Sequence, residues 1–152
     1  MLTVQQVLDI KTKPFNVIPS GTLVLDALNL LNTVNLSYLV VMDGDVYKGL
    51  FCERDYSRNV ILKGRASNST KVEEVMSYDL PVISTNDTVE YCMNLMNSHK
   101  TRYLLAYDEN EKFSGVITIH DLLRAVINNR EQVFDKDAAQ RLIDYEESGK
   151  IY

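Results

Sequence analysis

Several residue types that would point to a specific chemistry are scarce in this sequence. Its 152 residues include no tryptophan, two histidines and two cysteines, and no stretch approaches the roughly 18 apolar residues of a membrane span. Cys52 and Cys92 lie far apart among apolar neighbours, which predicts buried free thiols rather than a disulfide or a metal site. Residues 1–6 lack the basic start and the apolar run of a signal peptide, so the expected compartment is the cytoplasm.

Patterns of catalytic residues are also missing. His99 and His120 have no cysteine or acid around them at the spacing of metal ligands. No glycine-rich phosphate loop of the dinucleotide or P-loop type occurs, and no nucleophile–base pair can be proposed from spacing. We therefore expect a protein that is not an enzyme and that requires no cofactor.

The composition is that of a globular chain with a modest acidic excess. Hydrophobic residues make up 45% and charged residues 24% of the chain, and 21 acidic against 16 basic residues give a net charge of −5. This balance argues against nucleic acid or an anionic membrane as the main partner. A chain of this length forms one ordinary domain or two small ones that share a core.

One order of elements occurs twice: helix, strand, helix, two strands of a hairpin, and a closing helix. Gly49 and Asp55 in the first half answer Gly115 and Asp121 in the second, and both pairs lie 66 positions apart. A long repeat that occurs only twice indicates a tandem duplication. The predicted class is α+β, with repeats 1–66 and 67–130 each forming a three-stranded sheet with helices on one face. The two repeats are expected to pack with pseudo-twofold symmetry.

The bounds of these elements follow from apolar periodicity and turn residues. The predicted helices cover 4–10, a segment that begins at about residue 24, 53–63, 72–76, a segment that Thr88 caps, and 120–128. The predicted strands cover 15–18, 38–42, 46–51, 80–83, 103–107 and 113–117. Residues 65–71 are polar and rich in Ser, Asn and Thr, which predicts a linker. In the extension 131–152, residues 135–148 read as a helix that either docks on its own module or serves as a partner-binding arm.

Thr118 and Asp121 lie three residues apart where the closing helix begins, and this spacing allows two interpretations. In a capping box, each side chain accepts a hydrogen bond from the other residue's backbone N–H. In a binding site, the carboxylate meets a sugar's hydroxyls, while the threonine and the unpaired amides of the helix meet a phosphate. The occurrence of this stretch in both halves favours the second interpretation.

Two tandem units that each end in Gly-apolar-x-(Ser/Thr)-x-x-Asp resemble a pair of CBS domains, also called a Bateman module. The stretches 52–56 (Cys-Glu-Arg-Asp-Tyr) and 63–65 (Lys-Gly-Arg) are similar to those of small stand-alone bacterial members. The resemblance covers about residues 1–130. It implies a regulatory module that binds an adenine nucleotide (AMP, ADP, ATP, or NAD or S-adenosylmethionine) in clefts between the repeats. It also implies a homodimer that signals to a separate regulated protein.

The resemblance further implies which residues form the sites. In the second repeat, Asp121 would take the ribose, Thr118 the phosphate, and Ile83 and Ser84 would lie near the base. Arg102, which Tyr103 follows, suits a phosphate because a guanidinium can pair with it in a bidentate way, although a solvated charge at a strand start is the alternative. In the first repeat the corresponding acid is Asp55, and the arginines are Arg54 and Arg58.

The first repeat departs from the family pattern. Cys52 replaces the Ser/Thr of the motif and removes a strong hydroxyl donor. Arg54 and Arg58 could line that cleft, but Arg58 could equally pair with Asp55 at i, i+3. We therefore expect the first cleft to bind weakly or not at all. The alternative to ligand sensing is a structural or interaction module with degenerate clefts, and the extra apolar residues Leu25 and Leu30 fit it.

Overall fold

The structure is a computed structural model that describes residues 1–11, 16–34, 36–128 and 136–147. Its strands are β1 (Val17–Ile18), β2 (Tyr38–Asp43), β3 (Val46–Cys52), β4 (Val82–Ser84), β5 (Tyr103–Tyr107) and β6 (Phe113–Thr118). Its α-helices are α1 (Val4–Ile10), α2 (Val24–Val34), α3 (Glu53–Asp55), α4 (Val89–His99), α5 (Ile119–Asn128) and α6 (Lys136–Glu147). A π-helix (Tyr56–Ile61) continues α3, and a 3₁₀ helix (Val72–Glu74) precedes β4.

The chain forms two compact units that do not coincide with the sequence repeats. One unit is Phe15–Asp79, and the other joins Met1–Pro14 to Leu80–Tyr152. We call them the Asp55 unit and the Asp121 unit after the acid of the motif in each. The opening segment of each repeat therefore belongs to the unit built on the other repeat's sheet.

The two units have the same sheet topology. In the Asp55 unit, β1 is parallel to β2 and β2 is antiparallel to β3. In the Asp121 unit, β4 is parallel to β5 and β5 is antiparallel to β6. The expected α+β class and the two three-stranded sheets are confirmed. Thr3 caps α1 in a capping box with Gln6, and Thr88 accepts a hydrogen bond from the backbone N–H of Tyr91, as predicted.

In the Asp55 unit, the core lies between one face of the sheet and its helices. It contains Ile18, Val24, Ala27, Leu31, Leu39, Val41, Phe51, Val60, Val72 and Val75. Residues 65–71 contribute to this unit instead of linking two domains, which corrects the prediction. The carbonyl of Thr70 accepts from Val24 N at 2.8 Å, and that of Ser67 accepts from Leu25 N at 3.0 Å. These bonds satisfy amides that α2 leaves unpaired at its start.

In the Asp121 unit, α1 packs against β6 and α5 and completes the core. The core consists of Val4, Val7, Leu8, Ile83, Val89, Cys92, Met93, Met96, Leu104, Ala106, Ile117, Ile119, Leu122, Ala125 and Leu142. Leu142 of α6 is fully buried, and Lys100 Nζ lies 3.4 Å from the centre of the Tyr145 ring. The C-terminal helix is therefore docked on α4 of its own unit, as the first of the two interpretations predicted.

The helix predicted over 53–63 has a different form. It starts as α3 and widens into the π-helix, in which Leu62 N donates to Ser57 O at 3.2 Å and Arg65 N to Val60 O at 2.9 Å. One turn of sequence cannot distinguish the two helical periods, and the wider form depends on tertiary contacts. Asn59, in the middle of this turn, donates from Nδ2 to Val75 O at 3.1 Å.

Candidate functional site

The Thr118–Asp121 pair lies where β6 passes directly into α5. Thr118 is paired in register with Tyr103 of β5, and Ile119 N donates to Arg102 O at 2.9 Å. Thr118 N donates to Asp121 Oδ2 at 2.9 Å, and Asp121 N donates to Thr118 Oγ1 at 3.2 Å. The capping box is thus formed, so the first interpretation of this spacing holds. It orients the carboxylate and the hydroxyl at the start of a ten-residue helix.

A basic side chain that the sequence analysis did not single out lies on the same carboxylate. Lys11, just after α1, donates from Nζ to Asp121 Oδ2 at 3.0 Å and to Val116 O at 3.0 Å. The side chains of Lys11 and Asp121 are 15% and 10% exposed. Because the pair is largely removed from water, the attraction between its charges is stronger than at an open surface.

The corresponding acid in the other unit, Asp55, is held by neutral donors. Cys52 N donates to Asp55 Oδ2 at 2.9 Å, the Cys52 thiol lies 3.3 Å from the same oxygen, and Ser77 Oγ donates to Oδ1 at 2.9 Å. Asp55 is 6% exposed. Burial raises the pKa of the Asp55 carboxyl, and it raises the pKa of the Cys52 thiol to about 12.

Lys11 and Ser77 occupy equivalent places in the two units. They lie 66 positions apart, the same interval as Asp55 and Asp121. Each follows the short helix that opens a repeat, and each contacts the acid of the unit into which that segment packs. One acid is therefore matched with an ammonium and the other with a hydroxyl.

Two further predicted residues lie at the same end of the Asp121 unit. Arg102 directly precedes β5, and its carbonyl accepts the first amide of α5. Tyr103, the register partner of Thr118, is 8% exposed. The structure thus brings Thr118, Asp121, Arg102 and Tyr103 together.

Ile83 lies elsewhere. It pairs in register with Ala106 and is buried in the core beneath the helices, so its side chain is directed away from the site. Strand residues alternate between faces, and Ile117 belongs to the same core, so Thr118 lies on the opposite face. Val82, which is 59% exposed, lies on the face of Thr118, and its register partner Leu105 is nearer to Tyr103 than Tyr107, the partner of Ser84, is. The alternation of side chains between the two faces of a strand, applied to residues 80–83, could have shown that Val82 and Ile83 lie on opposite faces.

Ser84 is likewise not brought to the pair. It is in register with Tyr107, whereas Thr118 is in register with Tyr103, four residues away along β5. At about 3.3 Å per residue, this is a separation of about 13 Å. The Ser84 hydroxyl accepts a hydrogen bond from Asn86 N at 3.2 Å in the turn before α4.

The arginines of the first repeat follow β3. Arg54, in α3, is half-buried, and its positive charge opposes the rise in the pKa of Asp55 that burial causes. Arg58 is exposed on the π-helix.

Within the described ranges, no cluster of three or more His, Cys, Asp or Glu side chains is placed to hold a metal ion. None of the described helices is long and apolar enough to cross a membrane.

Both units have the same three-stranded sheet, with an acid in the first helical turn after the hairpin, and this duplicated arrangement identifies the class of protein. The family model for the CBS domain matches residues 7–61 and 72–128. The chain belongs to the CBS-domain family and is a tandem pair of CBS domains.

Curated relatives and solved structures agree with this assignment. The chain is 30% identical over 131 residues to the mitochondrial CBS domain-containing protein CBSX3 of Arabidopsis thaliana, covering 83% of this chain but 61% of CBSX3. It is 31% identical over 111 residues to the CBS domain-containing protein YhcV of Bacillus subtilis, covering 73% of this chain and 77% of YhcV. A solved CBS-domain protein from Burkholderia ambifaria is 34% identical with a TM-score of 0.76, covering 86% of this chain and 98% of its own.

One structural neighbour was crystallised with a nucleotide. CBSX2, solved in complex with AMP, matches 86% of this chain and 100% of its own length with a TM-score of 0.68. At 24% identity, this likeness concerns the fold.

Proposed function

We propose that this protein is a regulatory module that senses an adenine nucleotide (AMP, ADP, ATP or NAD) through the Asp121 unit. The observation that carries the proposal is the group at the start of α5: the Lys11 ammonium bonds to the Asp121 carboxylate, and two backbone hydrogen bonds hold that carboxylate and the Thr118 hydroxyl in place. Membership of the CBS family and the AMP complex of CBSX2 support it.

The proposed contacts follow from the chemistry of each group. Asp121 is an acceptor, so it suits the 2′- and 3′-hydroxyls of a ribose. The start of α5 carries the partial positive charge of a helix N-terminus, which suits a phosphate. Thr118 and Arg102 lie at this helix start and can add a hydroxyl and a guanidinium to the phosphate contacts. Tyr103 and Val82, on the face of Thr118, are the proposed neighbours of the base.

The acid of the Asp55 unit is less suited to bind a ribose. Both carboxylate oxygens of Asp55 already accept hydrogen bonds, from Cys52 and from Ser77. A ribose would have to displace the Ser77 hydroxyl from a side chain that is 6% exposed, and this hydroxyl, unlike the Lys11 ammonium, carries no charge with which to pair with the phosphate afterwards. We therefore propose one nucleotide site per chain, and the signal would pass through the segment that carries Lys11 to a separate regulated protein.

Thermal unfolding in the presence of AMP, ADP, ATP or NAD tests this proposal. A ligand at about 100 times its Kd stabilises the folded state by about 2.7 kcal/mol, or about 5 to 10 °C in Tm for a chain of this size. Asp121→Ala should abolish the shift. Thr88→Ala is the matched control, because it removes one cap bond (Thr88 Oγ1 to Tyr91 N, 3.1 Å) and costs about 1 kcal/mol without touching the site. No shift with any of the four nucleotides at millimolar concentration would refute the proposal.

The second candidate function is a structural or interaction module whose acids serve only as helix caps. The completed capping boxes of Asp55 and Asp121 favour it. On this account Asp121→Ala lowers stability, as Thr88→Ala does, and neither protein responds to nucleotide.

Homodimer formation stays a prediction. Leu25 of α2 is 44% exposed and belongs to the apolar surface proposed for the dimer contact, so light scattering should give a lower molar mass for Leu25→Glu than for the wild type.

A further inference from the structure

Lys11 is the charged partner of the acid on which the proposed function depends. Its ammonium donates to Asp121 Oδ2 and to Val116 O, each at 3.0 Å. Both side chains of the Lys11–Asp121 pair are at most 15% exposed. Separating them therefore leaves an ammonium with little water around it, which is costly unless another anion replaces the carboxylate.

A ribose hydroxyl that donates to Asp121 Oδ2 competes directly with this ammonium. A nucleoside supplies hydroxyls alone, so it displaces Lys11 from the carboxylate without offering it another anion, and the neutral Val116 O remains as an acceptor. A 5′-nucleotide supplies a phosphate as well. Lys11 has a flexible four-carbon stem, and the start of α5 already favours an anion, so the displaced ammonium can pair with the phosphate there.

We infer that Lys11 is the residue that selects phosphorylated nucleosides at the Asp121 site, exchanging its carboxylate partner for the phosphate when the ribose binds. The inference rests on the proposed function and names the part of the ligand that Lys11 reads. It also connects occupancy of the site to the segment after α1, since the Lys11 side chain joins that segment to α5.

The Asp55 unit provides an internal comparison. At the equivalent position it has Ser77, whose hydroxyl donates to Asp55 Oδ1 at 2.9 Å. A hydroxyl satisfies a buried carboxylate but carries no charge to pair with phosphate. The duplication has thus placed an ammonium on Asp121 and a hydroxyl at the equivalent position on Asp55.

The test compares the Kd of AMP with the Kd of adenosine by calorimetry. The wild-type protein should bind AMP at least about 10-fold more tightly than adenosine, as expected when a charge-assisted contact is gained. In Lys11→Gln this ratio should fall towards one, because AMP loses the ammonium while adenosine no longer has to displace it. Lys11→Arg should keep the preference. Lys112→Gln, which removes an exposed lysine of the same unit, should behave as the wild type.

A measurement on the wild-type protein makes the test independent of how well the variants fold. Adenosine should increase the acetylation of Lys11 by acetic anhydride, measured by mass spectrometry, because the ammonium loses its carboxylate partner, whereas AMP should not, because its phosphate replaces the carboxylate. Equal acetylation with both ligands, or an unchanged AMP-to-adenosine ratio in Lys11→Gln, would overturn the inference while leaving the proposed function standing. If neither AMP nor adenosine binds the wild type, both fail.

Discussion

Substituting Gly49 by alanine tests the packing that places the acid of the Asp55 unit. A Cβ added at Gly49 would lie 2.6 Å from Met76 Sδ, 2.9 Å from Met76 Cγ and 2.9 Å from Ser77 O. The Met76 side chain can move, but Ser77 cannot move freely. Leu50 N donates to Ser77 O at 2.7 Å and Ser77 N donates to Leu50 O at 2.9 Å, and the Ser77 hydroxyl holds Asp55.

The expected cost follows from these contacts. Overpacking costs about 1 to 3 kcal/mol, and displacing Ser77 weakens hydrogen bonds worth about 1 kcal/mol each. We expect Gly49→Ala to lower the free energy of unfolding by about 2 to 4 kcal/mol. With an m-value of about 2 kcal/mol/M, the urea midpoint should fall by about 1 to 2 M.

Urea unfolding followed by circular dichroism is the suitable assay, because the chain has no tryptophan to report by fluorescence. Gly21→Ala is the matched control, since a Cβ at Gly21 would meet nothing within 4 Å. It should change the stability by less than about 1 kcal/mol. Equal midpoints for Gly49→Ala and Gly21→Ala would refute the packing of residues 76–77 over β3.

Three further predictions concern burial. The raised pKa of Asp55 means that the folded state binds the carboxyl proton more tightly than the unfolded state, in which the pKa is near 3.8. The protonated Asp55 therefore stabilises the folded state fully below about pH 3.8, and this stabilisation is lost as the pH rises through the folded-state pKa. The urea midpoint of Asp55→Asn should therefore rise relative to that of the wild type between about pH 3 and pH 7. A difference between the two midpoints that stays constant with pH would contradict this. Leu142→Ala should cost about 2 to 5 kcal/mol while Ile143→Ala, 37% exposed, costs little in the same assay, and similar small losses would show that α6 is not docked. Half-buried Cys52 and buried Cys92, each with a pKa raised to about 12, should resist iodoacetamide at about pH 8 until urea is added, and rapid native alkylation would contradict these raised pKa values.

Local patterns predicted the fold well because helices and strands depend on neighbours in sequence. The run Tyr103–Tyr107 is a strand with the predicted bounds, and the period of Val89, Cys92, Met93 and Met96 marks the buried face of α4. The duplication predicted two equivalent sheets, since both copies repeat the same pattern. Periodicity determines which face an element buries, but not which sheet it packs against. The placement of α1 on the sheet of the other repeat therefore could not be read from the pattern alone.

The candidate site was predicted in part for the same reason. Thr118 and Asp121 were found because their contact is local, over three residues. The contact of Lys11 with Asp121 spans 110 positions in the sequence. The one sign of it in the sequence is that Lys11 lies 66 positions before Ser77, which is the interval between equivalent residues of the two repeats. The side chain of Ile83 lies on the core face of the sheet, opposite Thr118, because a strand turns successive side chains to opposite faces.

The most direct test of the central claim is a calorimetric titration of the wild-type protein with AMP, with Asp121→Ala and Asp55→Ala titrated in parallel. The structure predicts one site per chain, lost in Asp121→Ala and retained in Asp55→Ala, because Lys11 accompanies one acid and Ser77 occupies the other. Two equal sites per chain, or a site that survives Asp121→Ala, would contradict it.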